Sequence, residues 1–247
     1  MAKWLERSEL LIGQEGIKKL QKSHVLIVGL GGIGSFAGEF IARAGVGKIT
    51  LIDGDCFDET NKNRQLTALD STIGKNKAVV LAERIRDINP EIDLTILQEF
   101  VEPNRVWEIL KEEKPDYVMD CIDSVSPKIE WIVACIALKI KLVSHLGAGG
   151  KIDPSKVHVA SLEKTYNCKL ALQIKKRLKR KDITFKKVKA VFSSEIQDKS
   201  SLKMTDGSNY KKSFYGTISY MPALFGLHGA AEVIKYLLKS EELIVKG

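Results

Sequence analysis

Along the first 150 positions, short unbroken apolar runs alternate with longer stretches in which apolar residues recur every three or four positions. The runs 24–30, 48–55, 93–100, 116–123 and 141–149 read as strands covered on both faces, because they lack a polar alternation. Between them the spacing predicts a helix over 33–44 and another near 77–89, which Pro90 stops. Two more are opened by Pro103 and Pro127. This alternation implies an α/β, Rossmann-like, doubly wound and mainly parallel sheet with helices on both faces. After Gly150 the pattern changes: 156–162 and 187–195 read as strands, and 168–180 as a helix. Leu170, Ile174 and Leu178 share one face of that helix, with Lys169, Lys176 and Arg180 on another. Residues 196–213 are polar and read as a mobile loop, and Pro222 opens a last helix to about position 239. The fold is therefore expected to end in a C-terminal extension of mixed strands and helices.

Composition changes this picture in few places. A chain of 247 residues, 44% hydrophobic and 28% charged, can bury a core without metals or disulfides. Cys56, Cys121, Cys135 and Cys168 form no C-x-x-C pair, so neither a structural zinc nor an oxidising compartment is expected. Lys3, Glu6, Arg7 and Glu9 stand where a secretory leader would be apolar, which points to a cytoplasmic protein. The nearly uncharged run 213–231 contains Gly and Pro and reads as a buried or interface helix, so no membrane partner is expected. The net charge of +8 is local: 169–189 carry ten Lys or Arg against one acid, Asp182. Lys175, Lys176, Arg177, Lys179, Arg180 and Lys181 are its densest part and suit the phosphates of an RNA. A solvated lysine-rich helix is the plainer alternative.

In a doubly wound sheet, ligands gather beyond the carboxyl ends of the strands, where strand order reverses. Those ends carry Gly29, Gly31, Gly32 and Gly34, then Asp53 to Asp55, Phe100, and Asp120 to Asp123. The glycines spell G-x-G-x-x-G, a tight turn that sets a phosphate against a helix N-terminus, and Asp53 is placed for ribose hydroxyls. NAD, FAD, S-adenosylmethionine and ATP all suit these features. The stretch DGDCFDETNKNRQ then adds Asn61, Asn63, Arg64 and Gln65, and Lys77 follows. A dehydrogenase has no use for an Arg and a Lys aimed at a triphosphate, whereas cleavage between phosphates builds the negative charge they would meet. Arg64 can grip phosphate oxygens in bidentate fashion and Lys77 can act as a point charge. Mg²⁺ would need one or two carboxylates. Of Asp120 and Asp123 only one can readily face the crevice, and Asp123, nearer the strand end, is the better candidate; capping of the next helix is its alternative role.

The glycine turn, Asp53, TNKNRQ, GKNKA with Lys77 and DCID with Asp123 resemble the adenylating enzymes related to ubiquitin activators. RSELLIGQEGIKKL, GAGGKIDPSKV, LEKT and VFSSE narrow the resemblance to that group's tRNA threonylcarbamoyladenosine dehydratases. The resemblance implies a single adenylation domain over 1–247: a helical arm (1–22), a nucleotide-binding core (23–150) and a substrate-, RNA- and dimer-facing part (151–247). It implies that Gly32 lies against the phosphates and that Asn61, Arg64 and Lys77 contact them, with Gln65 in support. It places Mg²⁺ on Asp123, adenine on Phe100, and Arg7 on the phosphates of a neighbouring subunit in a homodimer. The implied activity is ATP-dependent cyclisation of threonylcarbamoyladenosine in tRNA through an acyl-adenylate. Adenylation of a ubiquitin-like sulfur carrier, with a sulfur-transfer protein pair as partners, stays open. So does a non-catalytic RNA-binding module in which the crevice is a relic. Cys168 reads as a small half-buried residue more readily than a transfer thiol. His145 reads as structural, and the neighbouring GAGG backbone is a candidate for shaping the substrate pocket or holding a monovalent cation.

Overall fold

The computed structural model describes residues 2–204 and 213–239. Its main sheet contains β1 (His24–Val28), β2 (Lys48–Ile52), β3 (Asp93–Leu97), β4 (Tyr117–Asp120), β5 (Lys141–His145), β6 (Val157–Ser161) and β7 (Lys189–Ser193). The spatial order is β3-β2-β1-β4-β5-β7-β6, with every pairing parallel except β6 against β7. The first five strands stop short of the ends of the apolar runs in the sequence. The leftover residues turn away at the carboxyl edge and form the walls of the crevice.

Alternate side chains of β1 explain the two layers. Val25 and Ile27 join a core shared with α1 (Glu6–Lys22), α2 (Gly34–Arg43), α3 (Lys77–Ile88) and α7 (Tyr220–Leu238). Leu26 and Val28 join a second core with α4 (Pro103–Glu113), α5 (Val125–Ala137) and α6 (Lys169–Arg180). Burial on both sides is what parallel strands linked by crossover helices require.

Three expectations need correction. α5 and α7 begin at Val125 and Tyr220, so Pro127 and Pro222 stand third in their helices. Any position in the first turn lacks an intrahelical acceptor for its N–H, so proline fits there as well as at the first position. The stretch 196–213 is not all loop, because β8 (Leu202–Met204) pairs antiparallel with β9 (Ser213–Tyr215); 205–212 lies outside the described residues. α1 also bends at Gly13, where φ is +72°. No helix among the described residues is long and apolar enough to cross a membrane.

Candidate active site

Strand order reverses between β1 and β4, and the turn after β1 fills the space above them. Gly29 adopts φ +84°, and a Cβ there would stand 3.0 Å from the backbone of Cys121 and Ile122 after β4. At Gly34 a Cβ would overlap the Gly29 carbonyl. α2 has no side-chain cap; the Gly31 carbonyl accepts the Ser35 N–H at 3.1 Å, and the helix N-terminus, with its favourable dipole, opens on the glycine turn. Gly32 lies between Pro222 at the start of α7 and the backbone and side chain of Arg64. The buried Gln65 amide lies against Gly31, and its Oε1 has no hydrogen-bond partner among the described residues.

Asp53 closes one side of the turn. Its Oδ2 accepts the Leu30 N–H at 2.6 Å and its Oδ1 the Asp55 N–H at 2.8 Å. Burial pushes its carboxyl above the ordinary aspartate value, while these two donors and Lys77 pull the other way. Each oxygen keeps a lone pair for a ribose hydroxyl.

The segment after β2 supplies the cations. Asp58 caps a short 3₁₀ turn that buries Asn61, and two residues further on Asn63 Nδ2 donates to the Thr217 carbonyl at 3.0 Å. Arg64 Nη1 donates to the Thr60 carbonyl at 2.9 Å and to Asn63 Oδ1 at 2.8 Å. Burial lowers its pKa and the field of Asp123 opposes the shift, so the guanidinium stays cationic and feels that carboxylate. Lys77 opens α3 behind the Asn76 cap; its side chain is 8% exposed and its Nζ lies 3.0 Å from Asp55 Oδ2. Asp55 stands beside Asp53 at a strand end that the sequence places in the crevice, but its pairing with Lys77 is not read from the sequence. A signal exists, since Asp53 and Asp55 are two residues apart at the end of an extended run and so share a side.

Asp120 and Asp123 part company. Asp120 is fully buried, with Lys128 Nζ at 2.7 Å and the Ser144 hydroxyl donating at 2.7 Å. Asp123 is exposed at the mouth of the crevice, 3.5 Å from the Ser124 hydroxyl. Phe100 does not end β3, which stops at Leu97; it stands 70% exposed in the following loop, packed on Gly54. Arg7 is not gathered with these residues by any described contact. It is exposed on α1, two residues after Leu5, which packs on Gly45 at the amino edge of the sheet.

α6 buries Ala171, Ile174 and Leu178 and exposes Lys176, Arg177, Lys179 and Arg180, with Lys181 at its end. Lys175 is half-buried and donates to the Thr165 carbonyl at 2.6 Å, so it faces inward, unlike the rest of the basic cluster. Arg177 reaches Ser126 on α5, near Asp123, at 2.9 Å. Lys169 donates to the Tyr215 hydroxyl at 2.6 Å, and Tyr215 packs on Gly149 and Gly150. The carbonyls of those two glycines accept from Gln197 and the Asp198 N–H. Cys168 is buried ahead of α6. His145 is buried, its Nδ1 3.1 Å from the Asp120 carbonyl, its Nε2 unpartnered among the described residues and pressed on Gly229; burial pushes its pKa down to about 3.

Residues 5–247 match the model described as the ThiF family. A tRNA threonylcarbamoyladenosine dehydratase of Bacillus subtilis (strain 168) is 36% identical over 244 residues, 96% of this chain and 95% of that protein. One from Escherichia coli (strain K12) is 46% identical over 169 residues, which span 68% of this chain and 63% of that protein. The crystal structure of the E. coli tRNA N6-threonylcarbamoyladenosine dehydratase in complex with ATP has a TM-score of 0.86 at 37% identity, covering 96% of this chain and 94% of that one.

Proposed function

This chain belongs to the ThiF family, and from that membership we propose that it is an ATP-dependent tRNA threonylcarbamoyladenosine dehydratase. The observation that carries the reading is a pair of cations, Arg64 and Lys77, set with Asp53 and Asp123 around an uncapped helix N-terminus. Hydride transfer gains nothing from such a pair, whereas attack on a nucleotide phosphate does.

ATP is the substrate that fits this crevice. Asp53 holds the ribose, Phe100 covers adenine, and the turn with Gly29, Gly31, Gly32 and Gly34 receives phosphate. Arg64 and Lys77 neutralise it and Asn61 contacts it, with Asn63 and Gln65 in support. Asp123 fits Mg²⁺: it is a hard oxygen donor at the crevice mouth, and an ion shared with substrate phosphates needs only one or two carboxylates. That suits a site with no cluster of three metal-binding side chains among the described residues. Bound there, the ion would supply further neutralisation of phosphate charge.

The threonyl carboxylate of the modified nucleoside attacks the α-phosphorus and pyrophosphate leaves. The carbamoyl group then closes on the activated carbonyl and expels AMP, which carries away one carboxylate oxygen and leaves a five-membered ring. Positioning and charge neutralisation drive both steps, so no protein nucleophile is needed. Burial of Cys168 disfavours that residue as a transfer thiol; Cys56 is exposed. His145, held neutral under the floor of the crevice, is structural.

The exposed cations of α6 dock the tRNA, and their approach to Asp123 through Arg177 and Ser126 leads the RNA toward the crevice. The working form is a homodimer: Arg7 shares α1 with Leu10 and Leu11, which are 84% and 86% exposed, a patch suited to a second copy. The direct test is incubation of modified tRNA with protein, ATP and Mg²⁺, followed by mass measurement of the nucleosides. Loss of one water from threonylcarbamoyladenosine is expected; an unchanged mass contradicts the assignment.

A further inference from the structure

Three consecutive residues after β2 serve three parts of the crevice. Asp53 faces the glycine turn, Gly54 lets Phe100 approach so closely that a Cβ would stand 2.7 Å from the Phe100 backbone nitrogen, and Asp55 holds Lys77. Only the last contact is an ion pair, and it is lopsided. The Lys77 side chain is 8% exposed, so its ammonium needs a counter-charge at all times, whereas that of Asp55 is 54% exposed. The backbone of Asp55 is fixed apart from this contact: its N–H donates to Asp53 Oδ1, and its carbonyl accepts the Lys77 N–H at 3.0 Å and Asn76 Nδ2 at 3.3 Å. The carboxylate can therefore release its partner without the loop moving.

Resting on the assignment of the crevice to ATP, we infer that Asp55 is a positioning residue, the resting counter-ion that Lys77 leaves for the phosphates and regains when pyrophosphate departs. Two anions compete for one ammonium, so the carboxylate weakens the hold on both triphosphate and product. It speeds release without touching the nucleotide.

Calorimetric titration of ATP and of pyrophosphate, each with Mg²⁺, into the wild type, Asp55→Asn, Lys77→Ala and the double variant tests this. Asp55→Asn is expected to bind both ligands about two- to fivefold tighter, the range a partly exposed ion pair allows. Its steady-state rate should be lower, and Asp55→Glu should restore wild-type values. In the Lys77→Ala background the substitution should change affinity by less than about twofold, because the coupled partner is gone. Unchanged or weaker binding by Asp55→Asn overturns the inference, and so does tightening that persists without Lys77. A wild type that binds no ATP overturns the assignment of the crevice itself, and this inference with it.

Discussion

Lys77 and Arg64, the two cations proposed to meet phosphate, sit in opposite conditions. Lys77 is buried and ion-paired with Asp55, while Arg64 is half-buried, held by the Thr60 carbonyl and Asn63. Replacing either by Ala removes charge that counts most in the transition state, so turnover should fall about 10²- to 10³-fold with tRNA binding retained. Steady-state kinetics beside a tRNA-binding assay checks this; equal loss of both would indicate a fold defect. His145 bears on stability. Its folded pKa near 3 lies below the ordinary imidazole value of 6.5, so between those limits the unfolded chain binds a proton that the folded one refuses. Stability from this site is complete above about pH 6.5 and is lost progressively as pH falls toward 3. Denaturant melts should show a shallower acid limb for His145→Asn. Single residues are legible where chemistry and spacing coincide: the alternation argument favours Asp123 for the crevice over Asp120, which the fold buries against Lys128. Asp55 escapes because its role depends on where α3 brings Lys77, a contact between residues 22 positions apart.

At the scale of elements, the 3.6-residue pattern and the prolines locate every helix from α2 to α7, with starts displaced by two residues where proline stands third. The β8–β9 hairpin is invisible because three-residue strands are too short to show a period of two. The inward turn of Lys175 is equally hidden, since it follows from the placing of the Thr165 carbonyl. α6 carries a test of its own. Changing Lys176, Lys179 and Arg180 to Glu leaves the buried face Ala171, Ile174 and Leu178 untouched. Affinity for tRNA should drop, and the slope of log K against log salt should shrink by about 0.7 to 0.9 for each phosphate no longer neutralised. An unchanged slope would make α6 a solvated surface helix. In the glycine turn, Gly34→Ala would drive a Cβ into the Gly29 carbonyl and is expected to abolish ATP binding, read by the same titrations.

For the whole molecule, the mainly parallel sheet with its reversal between β1 and β4 places the ends of four strands around one crevice, and Arg7 is the residue left out of it. If Arg7 serves the neighbouring subunit, mixing inactive Arg7→Ala and Lys77→Ala proteins creates dimers with one complete site. About a quarter of wild-type activity should then return on equal random exchange of subunits; no recovery after verified exchange would place Arg7 outside the reaction.

The central claim is that the cations of this crevice serve transfer of AMP to a carboxylate, and oxygen tracing tests it most directly. With ¹⁸O in the threonyl carboxylate of the modified tRNA, one labelled oxygen is expected in the AMP released alongside the cyclised nucleoside. Label kept out of AMP, or formation of ADP in its place, would contradict the account.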